Sequence, residues 1–243
     1  MSGAAIAVSE MSVLRGGNLV VDRMSMTIDH GRWFGLIGAN GSGKTSFLRG
    51  LVGRLPCYAA SCAIDGVELR DEPRLRAARI GFMPPSEHLP AALTCRQLFF
   101  IAQPDEAIWR NGVSDVSEAI GIGKLLDRRV GDCSAGMKQR IAIGVAFATG
   151  KDTVILDEPF NWLDPVAAFD LRIALRKRVE KGLTLVTALH DMLTLTSCDE
   201  GSLIGDGKVI ANLSNFDIYA GRNDVTGFET EMIALLRKHS QFA

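Results

Sequence analysis

Apolar positions along this chain change period several times, and the changes sort it into strands and helices. A loose period of two runs through Ile6 to Leu14 and through Met24-Ser-Met-Thr-Ile28, predicting two half-exposed strands. Gly16-Gly17-Asn18 supplies a turn between them, and Asp29-His30-Gly31 turns the chain into a third strand. That strand, Trp33-Phe-Gly-Leu-Ile37, is apolar throughout, and Thr153-Val-Ile-Leu156 and Leu183 to Leu189 are so but for threonines. Short unbroken apolar runs of this kind suit strands of a parallel sheet covered on both faces. Ser61 to Leu69 carries Asp65-Gly66 between two β-like runs, a hairpin signal. Arg79 to Met83 reads as one more short strand, cut off by Pro84-Pro85.

Helical patterns fill the intervals. Ser46-Phe-Leu-Arg-Gly-Leu-Val52 starts a helix that Leu55-Pro56 stops. Between Ser86 and about Asp132, the groups Leu98 to Ile101, Ile108-Trp109, Ala119-Ile120 and Leu125-Leu126 fit short amphipathic helices, a small insertion over about 86–135. Lys138 to Thr149 is an Ala- and Ile-rich helix with Ser134 as its N-cap. Leu163-Asp164-Pro165 starts another, running to about Lys181. The tail adds a hairpin-like piece at Asp206-Gly207 and a short amphipathic helix near Glu229 to Lys238. Strands alternating with helices predict an α/β fold: a mostly parallel sheet with helices on both faces, an N-terminal antiparallel β subdomain and a helical insertion. The 243 residues suffice for one such domain across 1–243.

Composition narrows the class. The net charge is −1 and no block of basic residues stands out, so no nucleic-acid partner is expected. The five cysteines are scattered and lack a nearby histidine, which fits reduced thiols in a cytosolic protein better than zinc. Glu10 interrupts the N-terminus before any signal-peptide core could form. The longest uncharged apolar run, Ile141 to Gly150, is about half a membrane span, so a membrane role is expected to come through a partner.

The chemistry centres on Gly38-Ala39-Asn40-Gly41-Ser42-Gly43-Lys44-Thr45, set between an apolar strand and a helix. That is the context of a phosphate-binding loop. Glycines let successive N–H groups wrap a phosphate, and the helix N-terminus adds its positive end. Lys44 is placed to reach the β- and γ-phosphates, and Thr45 to hold Mg²⁺. A nucleoside triphosphate with Mg²⁺ is therefore the expected ligand. Asp157 and Glu158 end an apolar strand: Asp157 suits Mg²⁺, and Glu158 suits a general base facing an in-line water. His190 ends another strand on the same sheet edge, where it can reach the γ-phosphate and the attacking water.

Taken together these residues resemble the ATP-binding subunit of ABC transporters, over about Ile6 to Leu213. Gly38 to Thr45 matches Walker A, and Val154-Ile-Leu-Asp-Glu158 matches Walker B. Ser134-Ala-Gly136-Met-Lys-Gln-Arg140 resembles the signature motif, usually written S-G-G-Q. Leu163-Asp164 matches the D-loop, and His190 the switch histidine. The resemblance implies a P-loop NTPase core and an ATP hydrolase working as a head-to-tail dimer, homodimeric or heterodimeric, at the cytoplasmic side of the inner membrane. Each nucleotide would be covered by Ser134 and Gly136 of the other subunit, Asp164 would carry coupling across the interface, and a transmembrane permease would be driven. Three positions depart from the family. Arg15 stands where an aromatic ring usually stacks on adenine, and a guanidinium plane can do the same. Pro85 replaces the Q-loop glutamine, leaving Ser86 and Glu87 as the nearby oxygen donors. Met137 replaces the signature glutamine, as in subunits resembling bacterial drug, lipid and polysaccharide exporters. Export is therefore expected; the alternative is a soluble ABC-type ATPase acting on nucleic acid or ribosomes.

Overall fold

The computed structural model of the chain describes residues 3–239. Its N-terminal alternation forms β1 (Ala4–Arg15) and β2 (Asn18–Asp29), both longer than the pattern predicts, paired antiparallel around Gly16-Gly17. β4 (Ser61–Ile64) adds to β1, and β5 (Val67–Glu68) closes the predicted hairpin. Asp65 and Gly66 both take positive φ (52° and 74°), the geometry a tight hairpin turn demands. The four strands make one antiparallel sheet, ordered β2-β1-β4-β5.

The second sheet runs β10 (Lys208–Leu213), β9 (Glu200–Gly205), β3 (Trp33–Ile37), β8 (Thr184–Leu189), β7 (Thr153–Asp157), β6 (Gly81–Phe82). All are parallel except β10 at the edge. Every residue of β3 and β8 is buried, because the sheet is covered on both sides. Trp33, Ile37, Leu156, Leu185 and Leu189 face one core; Phe34, Leu36, Ile155, Val186 and Ala188 face the other. The first core is roofed by α3 (Cys95–Ala102), α4 (Glu106–Ile120), α5 (Ala135–Ala148), α6 (Pro165–Glu180), α7 (Met192–Leu195), α8 (Asn215–Asn223) and α9 (Val225–His239). The second is filled by α1 (Lys44–Leu51) together with the antiparallel sheet, so helices lie on both faces as expected, with the antiparallel sheet sharing this one. Each fully buried large apolar side chain contributes about 1.5–3 kcal/mol, against about 0–1 kcal/mol for a surface ion pair, so these two layers hold the fold.

Two expectations change. Arg79 does not start a strand; it ends α2 (Pro73–Arg79), and β6 keeps only Gly81–Phe82. The helix is anchored by Arg76, 2% exposed, whose guanidinium donates to Leu69 O (2.7 Å) and Gly50 O (3.3 Å). In the tail, the hairpin at Asp206-Gly207 includes β9, which pairs with β3, and α8 precedes the predicted last helix. The insertion is helical as expected, with short 3-10 turns at Ser86–His88, Ile122–Leu125 and Val130–Asp132.

Candidate active site

The loop after β3 is shaped by close backbone approaches. A Cβ on Gly38 would lie 2.2 Å from Ile204 O in β9, and one on Gly43 would lie 2.6 Å from Val20 O in β2. Gly43 also sits at φ 102° as the residue leading into α1. No side chain fits either place, and the loop is clamped between two strands. Gly207 N–H adds a hydrogen bond to Ser42 O (3.0 Å). Asn40 and Gly41 are exposed at its tip. Ser42 Oγ is buried and, among the described residues, has no hydrogen-bond partner. Lys44, 4% exposed, turns its ammonium back to donate to Gly38 O (2.7 Å) and Ala39 O (3.1 Å). Burial pushes its pKa down, and the Glu158 and Asp157 charges oppose that.

The strand ends bring the carboxylates to this loop. Thr45 Oγ1 donates to Asp157 Oδ1 across 3.1 Å, joining residues 112 apart in sequence. Burial raises the Asp157 pKa; the Thr45 hydroxyl, by favouring the carboxylate, works against the rise. Glu158 follows with φ 50°, and its N–H donates to Ala188 O in β8 (3.2 Å). Its carboxylate accepts from Asn161 Nδ2 (2.7 Å), and its carbonyl accepts from Gln139 Nε2 (2.9 Å). Thr45, Asp157 and Glu158 share an open cavity of about 620 Å³ with Pro85, Ser86 and Glu87.

The signature segment packs on the far wall of that cavity. Ser134 Oγ caps α5 by accepting from Met137 N–H (3.3 Å). Gly136 meets the chain after Glu158 so closely that a Cβ would stand 2.7 Å from Trp162 O. Arg140 pairs with Asp164 (2.9 Å), which caps α6 through Ala167 N–H (2.9 Å) and is held below the usual carboxylate pKa chiefly by that N–H. Arg15, at the end of β1, and His190, just past β8, are exposed and lie outside the cavity lining. Sequence reasoning did not single out Gln139, Asn161 or Trp162. Asn161, three residues after a candidate base in a turn, was the one with a local signal.

A family model described as ABC transporter matches residues 21–161. Among curated relatives, the Nod factor export ATP-binding protein I of Burkholderia lata is 30% identical, over 81% of this chain and 66% of that protein. The protein of that name from Paraburkholderia xenovorans is 31% identical, over 87% and 71% respectively. A solved structure of an ATP-binding subunit of an ABC transporter superposes with a TM-score of 0.80 at 24% identity, covering 94% of this chain and 99% of that one. The family match spans more than half of the chain, and the chain belongs to the ABC transporter family as an ATP-binding, ATP-hydrolysing subunit.

Proposed function

We propose that the chain, acting as one domain, is the motor subunit of a bacterial exporter, peripheral to the cytoplasmic face of the inner membrane and coupled to a transmembrane permease. The export reading rests on the names of the relatives and on Gly-Met-Lys-Gln-Arg in the signature segment. Two ATP-binding subunits, identical or different, would close head to tail around two ATP molecules. The observation that carries the chemistry is the part-buried Thr45–Asp157 hydrogen bond beside Glu158 and Lys44.

In this reading the loop N–H groups and the α1 N-terminus take the β-phosphate. Lys44 moves from two neutral carbonyls to the β- and γ-phosphates, where its bonds become charge-assisted and stronger. Thr45 Oγ1 and Asp157 offer hard oxygen donors that suit Mg²⁺, which when bound neutralises phosphate charge. Glu158 takes the proton of the attacking water as the water oxygen bonds to the γ-phosphorus and the bond to the β-phosphate oxygen breaks. His190 steadies the γ-phosphate and the water. Arg15 stacks on adenine. Ser134 and Gly136 cover the nucleotide of the partner subunit, and Asp164, paired with Arg140, carries closure between sites. Pro85 has neither N–H nor side-chain oxygen, so Ser86 or Glu87 supplies the oxygen at that wall. The test is Glu158→Gln. Its ATP binding should persist while turnover falls by about 10²–10⁴-fold, and a rate within about twofold of wild type would remove Glu158 from the role of base.

A further inference from the structure

Glu158 is held at two points. Its carbonyl accepts from Gln139, a side chain only 3% exposed, and its carboxylate Oε2 accepts from Asn161 Nδ2 at 2.7 Å. An ionised carboxylate can only accept, so the amide nitrogen, not the oxygen, faces it. With Oε2 engaged, Oε1 is the oxygen left for a water. The turn between the two residues closes through Asn161 N–H to Glu158 O (3.3 Å). Its ends are unusual: Glu158 and Trp162 both take left-handed φ (50° and 63°), which non-glycine side chains resist. Such a turn persists only where its surroundings fix it. Gln139, the Gly136 contact with Trp162 O and the Arg140–Asp164 pair all come from α5 and do so.

We propose that Asn161 is a positioning residue for ATP hydrolysis: it fixes one oxygen of Glu158 so that the other is presented to the attacking water. The proposal rests on Glu158 being the base. A bland role, turn closure alone, makes a different forecast, because Asp serves such turns as well as Asn and is nearly the same shape. Asn161→Asp keeps the shape but removes the donor and sets a second carboxylate against Glu158, so it is read beside Asn161→Ala, which removes the donor without adding charge.

The experiment measures steady-state kcat and KM, ATP binding and thermal unfolding for Asn161→Ala and Asn161→Asp. Single-turnover hydrolysis is then followed for Asn161→Ala in the Glu158→Gln background. Both single variants should lose about 10–100-fold in kcat, since misplacing a reacting group by about 1 Å costs up to about 10²-fold, with KM and ATP binding within about twofold. In Glu158→Gln the added Asn161→Ala should change the rate by less than about twofold, because the group it positions is gone. Wild-type kcat in Asn161→Asp, a raised kcat in Asn161→Ala, or an equal loss in both backgrounds overturns the proposal while Glu158 stands. Near-normal turnover in Glu158→Gln alone sinks both.

Discussion

Replacing Gly136 with Ala probes the contact between the signature helix and the loop after Glu158. The added Cβ would meet Trp162 O at 2.7 Å, whereas ordinary contact begins at 3.4 Å, so about 0.7 Å must be found. The Cβ is fixed by the backbone and its partner is a backbone carbonyl, so no side-chain rotation relieves the clash. The same two elements are tied by Gln139 to Glu158 O and by Arg140 to Asp164, each at 2.9 Å. Separation by that amount takes both near 3.6 Å, past useful hydrogen-bond range. Overpacking of this kind costs about 1–3 kcal/mol, and each kcal/mol moves Tm by roughly 2–4 °C in a chain of this size, for a fall of roughly 2–12 °C. The assay is thermal unfolding of the isolated subunit, where no second copy contributes, with ATP binding and phosphate release then measured at concentrations at which two subunits associate. Binding should hold, because the glycine loop sits on other strands, and turnover should fall by up to about 10²-fold as Glu158 is dragged with its loop. An unchanged Tm together with wild-type turnover would refute the reasoning.

Two further outcomes follow from the titrating groups. Asp157 has its folded pKa raised by burial, so the unfolded chain ionises first as pH climbs from 3.8, and the native state loses ground through that window. Without nucleotide or Mg²⁺, Asp157→Asn should therefore resist urea better than wild type at pH 7, with the gap shrinking toward pH 4; a less stable variant at pH 7 contradicts this. Burial pushes the Cys62 thiol up to about 11 and Cys95 to about 12, and it also raises Cys133, Cys198 and Cys57, the last against the opposing Arg76 charge. Cys57 alone is half-buried where the other four thiols are buried, with the Arg76 guanidinium at 3.6 Å, so it should be the one fast-reacting thiol at pH 8, and two or more thiols in the fast phase would contradict it.

The glycine loop and both strand-end acids were readable because their signals are local: a glycine pattern between an apolar strand and a helix, and acids directly after apolar runs. The hairpin at Asp65-Gly66 was readable for the same reason. What escaped is tertiary. α2 carries no apolar period, and Arg76, a residue type expected at the surface, anchors it from inside. β9 begins with Glu200-Gly201-Ser202, a polar start that hides a strand until β3 is seen beside it. Gln139 and Glu158 stand 19 residues apart, and nothing in either neighbourhood announces their bond. The left-handed turn at Glu158 and Trp162 is likewise a product of packing against α5, since neither residue favours that backbone.

The account turns on a nucleotide site completed by a second subunit, and complementation measures this most directly. Lys44→Ala disables the phosphate loop of one chain; Ser134→Arg disables the signature segment of another. In a head-to-tail pair, one of the two composite sites then combines the intact loop of the Ser134→Arg chain with the intact signature of the Lys44→Ala chain. Each variant alone should be inactive, and mixing them should restore ATP hydrolysis at a rate that rises with the concentration of either. A mixture that stays inactive while wild-type chains turn over, or a Ser134→Arg chain that hydrolyses ATP unaided, contradicts the shared site.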